Sequence, residues 1–75
     1  MSNSRIPMMA NQIATFFASQ PKAGQVDGVA GHINAFWEPR MRAQLFELID
    51  AGGEGLHPLV LEAAPRIRRP GTVSA

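Results

Sequence analysis

Few residues in the sequence have both the type and the spacing that chemistry requires. Of the two histidines, neither His32 nor His57 has a histidine or carboxylate three or four positions further on, the offset that sets two metal ligands on one helical face. The serines stand at 2, 4, 19 and 74, at chain ends or a helix end, so none has the strand-turn-helix surroundings of a nucleophile elbow. The acids are scattered, whereas general acid-base catalysis needs a pair held in a buried pocket. A helical chain this short has little volume for such a pocket. Gly52, Gly53 and Gly55 lack the Gly-Lys-Ser/Thr sequence of a phosphate loop and read as a helix stop followed by a turn. No catalytic residue, metal ligand or cofactor site is expected in this chain.

Binding is better supplied. Phe36, Trp37, Arg40 and Arg42 cluster where a second predicted helix meets a third, and Phe46 lies one turn beyond Arg42. Tryptophan and arginine dominate interface hot spots when they are desolvated. These five residues are the candidate partner interface. The competing reading makes Phe36 and Trp37 core anchors and leaves the arginines in solvent.

Proline and glycine divide the chain into four apolar segments, and each reads as a helix. In the first, Pro7 to about Ser19, Met9, Ile13, Phe16 and Phe17 follow helical spacing, and Ala10, Ala14 and Ala18 form a neighbouring stripe. More than half of its circumference is apolar, which a lone exposed helix would not carry. The second, about Val26 to Trp37, gathers Val26, Val29, Ala30, Ile33, Phe36 and Trp37 on one side and Gly24, Gly28, Gly31 and Ala35 on the other. A helical glycine costs about 1 kcal/mol relative to alanine. These glycines therefore imply either close approach of another backbone or a late helix start. The third opens at Pro39, places Met41, Leu45, Leu48 and Ile49 on one face with Arg42 and Phe46 at its edge, and stops at Gly52-Gly53. Glu38 precedes Arg42 by four residues, the favourable order for a helical ion pair. The fourth, Pro58 to Ala64, is two turns ended by Pro65, too short to stand alone.

The 75 residues contain no cysteine and carry a net charge of +1. Such a chain holds one small domain, and a two-domain enzyme is excluded. Without cysteine there are no disulfides, thiolate zinc sites or cysteine-held iron–sulfur clusters, which fits a reducing compartment. The first ten residues hold one basic residue, and Pro7, Asn11 and Gln12 break up the apolar run. Neither a signal peptide nor a membrane span is expected, and the cytoplasm is the default location. Residues 1–64 hold four basic and six acidic side chains, while residues 65–75 hold Arg66, Arg68 and Arg69 and no acid. The mildly acidic body argues against a nucleic-acid domain, which presents a basic face. The predicted architecture is all-α: a small bundle of three to four short helices over residues 1–64, with residues 65–75 as a flexible, disordered basic tail. Its apolar faces exceed what so short a chain hides, which argues for a partner.

Three stretches carry a family resemblance. They are Met9-Ala10-Asn11-Gln12-Ile13-Ala14-Thr15-Phe16-Phe17, then Gly31-His32-Ile33-Asn34-Ala35-Phe36-Trp37-Glu38-Pro39-Arg40-Met41-Arg42, then Gly52-Gly53-Glu54-Gly55-Leu56 with Pro58-Leu59-Val60. Together they resemble the delta subunit of the bacterial, molybdenum-containing, NAD-dependent formate dehydrogenase, from about Met9 to Ala64, with Phe-Trp-Glu-Pro-Arg-Met-Arg the specific block. The resemblance implies a non-catalytic accessory polypeptide of a soluble enzyme that oxidises formate and passes electrons to NAD. It implies that the molybdenum–pterin centre, the iron–sulfur clusters and FMN sit in other subunits, and that the partner is the alpha subunit, whose assembly, stability or cofactor maturation this chain supports. A helical homodimer acting as an adaptor or regulator is the alternative.

Overall fold

The computed structural model describes residues 5–70, and residues 1–4 and 71–75 lie outside that range. Within it the chain forms α1 (Arg5–Ala18), α2 (Gln25–Phe36), α3 (Pro39–Asp50) and α4 (Pro58–Ala63), with short 3₁₀ turns at Lys22–Gly24 and Ala64–Arg66 and no strand among the described residues. Local signals explain the boundaries. Pro39 and Pro58 occupy first-turn positions where a missing N–H is no loss. At the end of α3 the Gly52 N–H donates to the Ile49 carbonyl and the Gly53 N–H to the Leu48 carbonyl, the paired closure of a Schellman motif. Gly52 and Gly53 take φ values of +123° and +70°, which side-chain-bearing residues rarely adopt. Gly53 also lies under Leu61, whose methyl would stand 2.7 Å from an added Cβ.

The core is built from Ile6, Ala10 and Ala14 of α1, Val29, Ala30 and Ile33 of α2, Leu45 and Phe46 of α3, and Leu59, Val60 and Ala63 of α4, joined by Trp37, Leu56 and Ile67. On α1 the inward face is Ile6 with Ala10 and Ala14, not the stripe of Met9, Ile13, Phe16 and Phe17, and Ala18 at the helix end is exposed. Ala10 and Ala14 are fully buried, whereas Met9, Ile13 and Phe17 are half-buried and Phe16 is exposed. Small side chains let helices approach closely, so this docking leaves the bulky ones at the flank.

The second helix does not start late: it runs from Gln25, with Gly24 as its N-cap, so Gly28 and Gly31 both lie inside it. The close approach at Gly28 is by a side chain and not a backbone, the ring of Phe17, where an added Cβ would fall 2.5 Å from ring carbons. Gly31 has nothing within 4 Å.

Histidine and asparagine side chains tie the short α4 down. The Leu59 N–H donates to Nδ1 of His57, capping the helix, and the His57 N–H donates to Oδ1 of Asn11 at 2.7 Å. Nδ2 of Asn11 in turn donates to the Gly55 carbonyl at 2.8 Å. One amide on α1 thus fixes the entry to α4.

Of the expected flexible basic tail, residues 65–70 are described and lie against the body, and residues 71–75 lie outside the described residues. Ile67 enters the core at 4% exposure, and the polar groups around it are held by the body. Arg66 pairs with Asp27, and Arg69 pairs with Asp50 at 2.9 Å. The Arg68 N–H donates to Oδ1 of Asn34, whose Nδ2 donates to the Arg66 carbonyl. The acidic body attracts the basic segment and Ile67 supplies the apolar anchor, so the chain stays against α2 and α3 after Pro65.

Candidate functional site, an apolar trough between the first two helices

The docking of α1 by Ile6, Ala10 and Ala14 creates an open trough. Met9, Gln12, Ile13, Phe16 and Phe17 line it from α1, and His32 and Trp37 line it from α2 and its end, around a volume of ≈ 490 Å³. Phe16 is 59% exposed and meets the ring of Phe17 edge-on, with centroids 4.9 Å apart. Phe36 is 73% exposed and lies against the ring of His32, with centroids 4.8 Å apart. Gln12 and His32 are the polar members of an otherwise apolar surface. Two uncovered phenylalanines beside a concave apolar wall are the materials of a protein-binding face.

The five residues predicted to form the partner interface separate here. Phe36 is the last residue of α2, and the backbone leaves the helix at Trp37 with φ −91° and ψ 134°. That bend carries the indole into the core, 6% exposed with an edge on the trough, and leaves Phe36 outside on His32. Phe36 therefore does not share the core face that helical spacing gives it. Arg40 is exposed. Arg42 and Phe46 belong to the opposite side. Nη1 of Arg42 donates to the Arg68 carbonyl at 2.8 Å, in place of the expected side-chain pair with Glu38. Phe46 is 5% exposed because the guanidinium of Arg69 covers its ring at 4.2 Å. In the described chain Trp37 and Phe46 are thus core residues, and Arg42 is an internal strut.

Six other trough residues, Met9, Gln12, Ile13, Phe16, Phe17 and His32, were not among the predicted interface residues. Their signal was present in the excess apolar circumference of α1, but nothing local says which part of it turns inward.

Two polar side chains among the described residues hold helix ends. His57 is occupied as a helix cap, and the Ser19 hydroxyl donates to the Phe16 carbonyl at the end of α1. Among the described residues no group of three or more His, Cys, Asp or Glu side chains is placed to hold a metal ion. No helix among them is long and apolar enough to cross a membrane. The Asp50 carboxyl is held below its ordinary value of 3.8 by the hydrogen bond from Arg69, and the same contact raises the guanidinium.

Comparison with known families gives one match: the profile described as NADH-dependent formate dehydrogenase delta subunit FdsD aligns with residues 5–64. No curated protein matches the chain. The matched stretch contains all four helices and every residue of the trough.

Proposed function

We propose, because the chain belongs to the FdsD family of NADH-dependent formate dehydrogenase delta subunits, that it is a non-catalytic accessory subunit whose α1–α2 trough docks on the alpha subunit of that complex. One observation carries this reading: α1 buries Ile6, Ala10 and Ala14 and leaves Phe16, with the flanks of Met9, Ile13 and Phe17, around an apolar hollow that Phe36 extends. Aromatic side chains of this kind are a standing cost in water and a gain against a partner. In this reading the molybdenum–pterin centre, the iron–sulfur clusters, FMN and the NAD chemistry belong to other subunits, in the cytoplasm, and this chain supplies no redox group.

Its contribution is thermodynamic. A subunit that binds only the folded, cofactor-accepting form of the alpha subunit raises the population of that form by mass action. That effect supports assembly, stability or cofactor maturation without any reacting group on the delta chain. The test is co-purification of tagged alpha subunit with the unaltered chain and with a Phe16→Ala, Phe36→Ala variant. The unaltered chain should be retained and the variant lost, with less molybdenum in the alpha subunit. A fully metallated, active complex formed equally well with the variant, or with no delta chain at all, would reject the proposal. Light scattering separates it from a homodimeric adaptor, which would give a stable dimer indifferent to the alpha subunit.

A further inference from the structure

We propose that the seam between α2 and α3 is a binding site for an extended peptide of the pattern Arg-aliphatic-X-Arg, filled here by the chain's own residues 66–69 and open to a segment of another polypeptide with that chemistry. Side chains of the body read the main chain of this strap. Asn34 donates from Nδ2 to the Arg66 carbonyl at 3.0 Å and accepts at Oδ1 from the Arg68 N–H at 2.9 Å. A single amide thereby pairs with residues two apart, as one residue of a neighbouring β-strand would. Arg42 adds a third main-chain contact, to the Arg68 carbonyl.

Selectivity comes from the side chains. Ile67 fills an apolar slot, Asp27 takes Arg66, and Asp50 with the face of Phe46 takes Arg69. The Arg68 side chain is exposed and is read only through its backbone, which makes that position the permissive one.

One feature makes the strap replaceable and not merely fixed: both ion pairs are at least half exposed and so contribute little singly, which leaves Ile67 as the main anchor and allows the strap to open without the helices. Tethering gives the strap an effective concentration of about millimolar, so a free peptide competes poorly with it in the intact chain.

The experiment uses the full chain carrying Ile67→Asp, which removes the anchor and places a charge the slot rejects. A labelled peptide of residues 64–70 is titrated by fluorescence anisotropy, with circular dichroism to verify the helices. The released variant should bind it at least about tenfold more tightly than the unaltered chain does, since the tethered competitor is gone. An Arg68→Gln peptide should bind within about twofold of the parent, an Ile67→Asp peptide at least about tenfold more weakly, and adding Asn34→Ala to the chain should lose about tenfold, the worth of one or two hydrogen bonds. A folded released variant that takes up no peptide, or that binds the Ile67→Asp peptide as tightly as the parent peptide, would overturn the assignment. So would self-association of that variant, which would give the slot to a second copy. Hydrogen exchange on the unaltered chain guards against a variant that does not fold. The Arg68 amide should exchange at least about a hundredfold faster than that of Ile33, through local opening. Equal protection of the two would make the strap an inseparable part of the core and end the proposal.

Discussion

Phe36 and Trp37 are adjacent, and the backbone bend between them gives them opposite environments. Trp37→Ala should cost about 3–5 kcal/mol in urea unfolding, as expected for a buried indole, so any complex lost with it is lost together with the fold. Phe16→Ala and Phe36→Ala should move the melting midpoint little, because exposed side chains away from special features change stability by about 0.5 kcal/mol or less. Their binding to the alpha subunit, by calorimetry, should weaken by about 2 kcal/mol where a ring serves as a hot spot. The glycines of α2 separate in the same way. Gly31→Ala should stabilise the isolated chain by up to about 1 kcal/mol, since nothing stands within 4 Å of the new methyl. Gly28→Ala should show no such gain, because the Phe17 ring must first move away. The sequence revealed that these residues are unusual, but not which aromatic ring is buried. That depends on the place where the helix stops relative to the core, and a one-residue difference decides it.

At the scale of elements, the stops and starts were legible because they are chemical and local: Pro39 and Pro58 open helices, and Gly52-Gly53 closes one. The inward face of α1 was not legible. A helical wheel shows two adjacent apolar stripes, and only the neighbouring helices choose between the thin one and the bulky one. The ordered strap was invisible for a related reason, since Asn34 meets Arg66 and Arg68 across more than thirty residues and leaves no periodic trace. Two measurements probe these long-range ties. Asn11→Ala should destabilise the chain by about 1–3 kcal/mol in urea, because the part-buried His57 N–H loses its acceptor. Asn11→Asp, which keeps the acceptor and drops the contact to Gly55, should recover part of that loss. For the strap, Asp50 binds its proton less readily in the folded chain than in the unfolded one. The hold it gives Arg69 is therefore complete above its ordinary value of 3.8 and is lost as pH falls through the lower folded value. The Arg69 amide resonance should shift in that acid window and respond to added salt, and an Asp50→Asn chain should lack the transition.

For the whole molecule, the all-helical architecture followed from punctuation and periodicity, and the unsatisfied apolar surface followed from composition. The position of that surface did not, because it is the remainder left after four helices have chosen their contacts. The predicted cluster at the junction of α2 and α3 was split by the packing, with Phe36 on the trough side and Arg42 and Phe46 beneath the strap. The isolated chain should bind an apolar dye at the trough, and the alpha subunit should displace it. Its melting temperature should rise with alpha-subunit concentration, as linkage requires. The inward seam of α1 has a further consequence for how the chain can change. The residues that bury this helix in the body, Ile6, Ala10 and Ala14, are not those it displays, so outward-facing positions such as Phe16 can be exchanged with little effect on folding. Partner preference in such a chain is free to drift while its architecture stands still.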